Sequence, residues 1–455
     1  MRARGRFAVI FFVASLVASA SLLAGACDAK RGGVERRRGS QAAVAGGDAR
    51  RLSPLPEREL SPALGVARGR AMRRAAETRG LGWRAEPGLT ELTGWEYGTR
   101  AREMTAALGG DELRSLSRLA VAGGLLPGGT DLATLAAGFT ASASSAIYSP
   151  LDGRVLLLKD GGKGKRPVDE SLLAHELTHA LQDQHFGLLR LLDARPYDFD
   201  RAEAAFAVVE GDAMNVQRRI EQGEAWSRLT PEDAARFEGE RFDAAGGELG
   251  ALFPPLLTET FLFRYRDGAR FVETVRRKSG ARGVDELFSR PPASSEQVLH
   301  PEKYFAGEGP REVRADEARF AAAGWGIAAA TPLGEIGARG LLLKALGRRE
   351  AGRAAAGWGG DRAYLFERVD GSALFVWQTA WDTDADAREF FRAYNVLQRS
   401  RGGREDAPGA SPDDSARAWR ENELLTLVRV AGDRVSVLRG RESDVRAALE
   451  FVPGF

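Results

Sequence analysis

The sequence predicts an α+β protein, with a mainly helical body first and a compact sheet-containing unit after it. Three observations predict this. Between residues 99 and 288 apolar residues recur at three- and four-residue spacing in several long stretches. One short segment, "SAIYSPLDGRVLLLKD", instead alternates around Pro150 and Gly153, as a small antiparallel hairpin does. After about residue 312 the texture changes to helix, two strands, helix, two strands, helix, which describes an α+β unit, ferredoxin-like or similar, with its sheet covered on one face.

The elements follow in order. "MRARGRFAVIFFVASLVASASLLAGAC" has a basic start, an apolar run from Phe7 to about Val17 and a stretch of small residues. That is the layout of a signal peptide over residues 1–26, with an apolar run too short to span a membrane comfortably. Residues 27–65 are polar, rich in Arg, Gly, Ser and Pro, and predict a flexible tether. A helical domain is expected over 66–312 and the C-terminal unit over 313–455. Within the first, the "ALGGDEL" stretch predicts a helix break at Gly109-Gly110. A continuous helix is expected from about Asp169 to Phe186, capped by Gly187, and another over "DRAEAAFAVVEGDAMNVQRRIEQGE". In the second, hairpins are expected around Asp370-Gly371 and Gly432-Asp433.

Composition excludes some functions. The net charge is +2, and the 65 basic residues, only seven of them lysine, are scattered rather than gathered into a stripe. No nucleic-acid partner is implied, and no phosphate-cradling glycine motif stands out.

The chemistry is concentrated in "SLLAHELTHALQDQHFG", residues 171–187, which holds three of the four histidines. On a helix, positions i and i+4 differ by about 40° in direction and one turn in height. His175 and His179 therefore project together and can share one ion. Glu176, about 100° round from His175, lies beside the pair, where it serves as a general base rather than a ligand. This is the HExxH pattern of zinc hydrolases, in which two imidazoles and one carboxylate hold a single Zn2+ and leave a fourth position for water. His185 points away from the pair and reads as a packing residue. Asp183 continues the histidine stripe one turn further, either supporting a ligand or simply solvated. Glu203 and Glu210 compete for the third ligand position. They lie seven residues apart on one predicted helix and follow His179 by 24 and 31 residues, so spacing alone does not choose. Gly211, which would permit close backbone approach, is a local feature in favour of Glu210.

With these residues in view, "AHELTHALQDQHF" followed by "AFAVVEGDA" resembles the zincin metallopeptidases, specifically gluzincin-like ones whose third ligand is a glutamate on a later helix. The chain is most similar to a little-characterised group of bacterial HExxH proteins that are often predicted lipoproteins. It shares with them the "PPASSEQVLHPEKY", "AAAGWGGDRAYLFE" and "WDTDADAREFF" segments, so the resemblance runs from about residue 120 onward. It departs from them at "IYSP", where Ser149 stands in place of a frequent aspartate.

The resemblance implies a zincin-like catalytic domain, a peptide or protein substrate, and Glu210 on the zinc with His175 and His179. It also implies that "RVLLLKD" forms the edge strand along which an extended substrate pairs. His300, oriented by Glu296, is the expected transition-state stabiliser, with Tyr148 and Tyr265 as weaker candidates. Cys27, the only cysteine, ends a segment similar to the lipobox of bacterial lipoproteins, with Ala24 where leucine is commonest. Lipid attachment at Cys27 would place the protein outside the cytoplasm, membrane-anchored on the periplasmic side. Two other functions compete with an exported metallopeptidase: a non-catalytic envelope lipoprotein on the same scaffold, and a zinc hydrolase of a non-peptide amide or ester.

Overall fold

Folding starts earlier than the composition suggests. The computed structural model describes residues 52–452, apart from 144, 160–168, 193–196, 235, 240–249, 251–252 and 406–414. The expected signal peptide and Cys27 lie outside the described residues. Residues 52–65, expected as part of the tether, are fastened down. Leu55 packs against Leu92, Tyr97 and Met104, and Arg58 makes two 2.8 Å hydrogen bonds to the Glu96 carboxylate. Helix α1 (Pro62–Arg79) follows, with Ser61 as N-cap and Pro62 in the first turn. Its buried stripe is Leu64, Ala67, Ala71 and Ala75. Alanines between arginines give too faint an apolar signal to be read from sequence.

Strand β1 (Gly88–Leu92) leads into α2 (Gly94–Ala122), capped reciprocally by Thr93 and Glu96 and broken at Gly109, whose φ is 142°. Helix α3 (Leu132–Ala143) runs into the hairpin β2 (Ala146–Ser149) and β3 (Arg154–Leu158). β2 pairs antiparallel with β3, and β1 pairs parallel with β3 on its other side. The strand order β1-β3-β2 corrects one expectation: "RVLLL" is the central strand, not an edge. β1 was overlooked because "GLTEL" is short and mixed in character.

Helix α4 (Glu170–Phe186) has the limits read from sequence. The Asp169 side chain accepts from the N–H groups of Ser171 and Leu172, and Gly187 closes the helix at φ 72°. Every residue from Ser171 to Gln182 is buried, so α4 is a core helix. It packs on α1 and on α5 (Phe199–Gln222). Next come α6 (Pro255–Leu262), a single π-helical turn over Phe263–Asp267, and α7 (Gly268–Leu287), which breaks at Gly280. α5 and α7 touch backbone to backbone: a Cβ on Gly211 would lie 2.3 Å from the Gly268 carbonyl, and one on Gly268 2.3 Å from that of Ala207.

The C-terminal unit is a seven-stranded antiparallel sheet of β4 (Gly326–Thr331), β5 (Trp358–Glu367), β6 (Ala373–Trp381), β7 (Arg404–Glu405), β8 (Ala416–Glu421), β9 (Leu424–Ala431) and β10 (Arg434–Arg441), in the order β4-β5-β6-β10-β9-β8-β7. Both expected hairpins and helices α8 (Gly334–Leu342), α9 (Asp384–Ser400) and α10 (Glu442–Ala448) are present. The sheet is larger than expected, and it is covered on both faces rather than one. Ala363, Leu365, Phe375 and Trp377 face the helical body, α8 and α9. Tyr364, Phe366, Leu374 and Val376 face Phe320, Trp325 and Val445. Unbroken apolar runs such as "ALFVW" are what such two-sided burial requires. The first face shares one continuous core with Leu173, Leu177 and Phe206 of the helical body. The protein is thus of mixed α+β class, and among the described residues no helix is long and apolar enough to cross a membrane.

Candidate metal centre

The two histidines of α4 and one glutamate of α5 meet in the core. Nε2 of His175 and Nε2 of His179 are 3.2 Å apart, and Oε2 of Glu210 lies 3.3 Å from the first and 3.4 Å from the second. All three residues are buried. A tetrahedral ion with ligand bonds of about 2.0–2.1 Å holds its donors about 3.3–3.4 Å apart, so the triangle has the dimensions of a zinc site. The donor set, two imidazoles and a carboxylate, fits the same ion.

Electrostatics agree with the geometry. Burial raises the Glu210 pKa, but His179 and His175 outweigh it and hold the carboxyl down at about 2. Burial opposes charge on His179, yet Glu210 carries it up to about 9, whereas burial keeps His175 below its usual value. One proton shared among three inward-facing atoms is what a cation would replace.

A second layer of side chains fixes the donors. His179 Nδ1 donates to Gln182 Oε1 at 2.9 Å, which turns Nε2 toward the other two donors. The Gln182 amide in turn donates to Val209 O and to Asp212 Oδ2, each at 3.0 Å. Asp212 is held by Arg79 Nε at 2.7 Å, and Arg79 also reaches Asp285. Sequence reasoning missed this chain. Its traces were there in a glutamine three residues after His179 and an aspartate two after Glu210. Gln182→Leu should therefore weaken zinc binding about 10–100-fold in a chelator competition, while the fold persists. Unchanged affinity would show that the chain does not orient His179.

Glu176 is fully buried, and its Oε2 accepts the Tyr148 backbone N–H at 2.7 Å. That N–H lies on β2, the outer strand beside α4. The Tyr148 hydroxyl donates to Asp183 at 2.8 Å, and Asp183 also caps Leu188, so this carboxylate braces the helix end and not a histidine. Ser149 bonds Asp152 within the hairpin turn. His185 binds the Gly82 carbonyl at 2.7 Å, a packing role.

Glu203 makes two hydrogen bonds to Arg264, at 2.6 and 2.7 Å, in the core. It takes no part in the triangle. Tyr265, aimed inward by the π-helical turn, stacks near His175 with ring centroids 6.4 Å apart and hydrogen-bonds Glu210.

His300 is the expectation that the structure corrects. Its Nε2 lies 3.0 Å from Glu335, and it lines a separate cavity with Arg236, Arg266, Arg270 and Arg339. No member of the triangle lines that cavity. Pro301 starts a new helix there and turns His300 toward Glu335. Nor does Glu296 orient it, because Glu296 binds the Lys303 ammonium at 2.7 Å, together with Glu308 and Asp382. This second group of carboxylates is already filled by an ammonium.

A family model described as a domain of unknown function, DUF8575, matches residues 326–450, from β4 through the closing helix. No curated protein and no solved structure matches the chain. The matched segment contains the sheet and leaves His175, Glu176, His179 and Glu210 outside it.

Proposed function

We propose that the protein is a zinc-dependent metallopeptidase, exported and tethered to a membrane through lipid on Cys27. The observation that carries this reading is the 3.2–3.4 Å triangle of His175, His179 and Glu210, with the Glu176 carboxylate close enough to help raise the His179 pKa. A zinc ion bound there would polarise a carbonyl and lower the pKa of a water to about 7. Glu176 would take the proton of the attacking water and pass it to the leaving nitrogen. Its hydrogen bond from Tyr148 holds the carboxylate in place. Tyr265 would position Glu210. An extended peptide would lie along the outer side of β2, where the Tyr148 N–H faces Glu176.

A scaffold kept only for binding has no use for a buried carboxylate next to the donors, since burying it costs free energy that catalysis would justify. The test is metal content together with cleavage of an unfolded protein such as reduced casein. One zinc per chain and cleavage abolished by chelator, then restored by zinc, are expected. A metal-free protein, or cleavage indifferent to chelator, would overturn the proposal; zinc with ester but no peptide cleavage would point to the non-peptide alternative.

The anchor has its own test. Labelled fatty acid should enter the full-length protein and be absent from Cys27→Ser. Equal labelling of both would exclude lipid attachment at this residue.

A further inference from the structure

A second site lies away from the metal, between the end of α2, α3, α6 and the start of α8. It is a narrow cavity with an almost wholly apolar lining. Its walls include Leu116, Leu126, Leu132, Leu135, Leu257 and Phe261. The polar groups in the wall are mostly spent on each other. Glu203 and Arg264 pair, and Thr260 bonds its own helix at Leu256 O. Only the Thr258 hydroxyl is buried without a partner. Such a wall offers no charge to a ligand and favours hydrocarbon.

Next to the Leu125 and Leu126 wall lies a cluster of cations. Leu125 and Leu126 line the cavity, and the residue before them, Gly124, is surrounded by cations. Lys344 Nζ and Arg401 Nη2 both donate to the Gly124 carbonyl, and a Cβ at Gly124 would meet Arg401 Nη1 at 3.0 Å and Arg439 Nε at 3.4 Å. Lys344 follows Gly337, itself a lining residue, by seven positions, or about 10 Å along a helical direction. Among the described residues, one carboxylate, Glu421, stands beside these three cations, bonded to Arg439 at 2.7 Å. The C-terminal end of α2 offsets part of the excess. The rest is unmet: Arg401 Nη1 and Arg439 Nε are buried with no hydrogen-bond partner. Burial, with Arg401 and Arg439 nearby, pushes the Lys344 pKa down to about 8, as excess positive charge requires.

We propose that this site binds an anionic amphiphile, with a single aliphatic chain in the cavity and a carboxylate or phosphate held by Lys344, Arg401 and Arg439. An apolar slot with a cationic cluster next to it is complementary to that chemistry at both ends, and unpaired guanidinium N–H groups are its natural donors. The site is independent of the metal centre, so its failure would leave the peptidase proposal standing, and the converse holds.

The experiment is displacement of a fluorescent fatty-acid probe from the intact protein by palmitate, palmitoyl lysophosphatidate, hexadecanol and inorganic phosphate. Palmitate and the lysophosphatidate should displace the probe, hexadecanol should be at least about tenfold weaker, and phosphate alone should fail. Tighter binding of the lysophosphatidate assigns the site to a lipid headgroup, and tighter binding of palmitate to a free fatty acid. Leu135→Trp should abolish displacement by filling the cavity. Lys344→Met, at a half-exposed position in the cationic cluster, should weaken both anions about five- to tenfold while leaving hexadecanol unchanged. Unchanged zinc content and melting temperature in both variants separate loss of the site from loss of the fold. No displacement by any lipid, equal affinity for palmitate and hexadecanol, or an unaffected Lys344→Met would each overturn the proposal.

Discussion

Glu176→Gln is expected to retain one zinc per chain and to lose about a hundred- to ten-thousand-fold in the rate of peptide cleavage. The two halves of this result have separate causes. None of the three converging donor atoms belongs to Glu176, so its amide analogue removes no ligand. The glutamine carbonyl can still accept the Tyr148 N–H, which keeps the side chain seated against β2. What an amide cannot do is accept a proton from water near neutral pH, and so the chemical step alone should suffer. Metal analysis and turnover on the same preparation decide the matter. A variant that keeps full turnover would mean another base, and one that loses its zinc would mean that Glu176 is a ligand.

Much of this was legible before the structure. The HExxH spacing places two imidazoles on one stripe because helical periodicity is local, and in the structure their Nε2 atoms lie 3.2 Å apart. Asp169 and Gly187 likewise mark the helix ends by chemistry that needs no tertiary context. Where the reading went astray, the cause lay in long-range contacts. β3 became a central strand through pairing with β1, 66 residues earlier at Gly88↔Arg154. His300 was expected near the metal site from the resemblance to zincins with a distal histidine, but the chain path carries it to Glu335. Gln182, Asp212 and Arg79 act together only because α1, α4 and α5 pack against one another.

The pair Glu203 and Glu210 gives the sharpest contrast, since both are buried carboxylates on one helix and only one faces the histidines. Glu210→Ala removes one of three donors. It should weaken zinc binding by more than the 10–100-fold that loss of a supporting residue costs, and a chelator competition measures it. Glu203→Ala should leave zinc affinity nearly unchanged and instead destabilise the fold. It breaks the Glu203–Arg264 ion pair in the core, where the Phe206 ring lies 4.7 Å from the guanidinium. Breaking a buried ion pair from one side typically costs about 3–5 kcal/mol, because the remaining charge loses its partner and cannot reach water. Urea unfolding would read that loss. Removing both charges with Glu203→Leu and Arg264→Met together should recover much of it, since an apolar pair there would extend the leucine-lined cavity wall next to it. Zinc lost from Glu203→Ala while its unfolding midpoint stays at the wild-type value would reverse the assignment. Retention of zinc in Glu210→Ala would do the same, for the triangle would then not need its third corner.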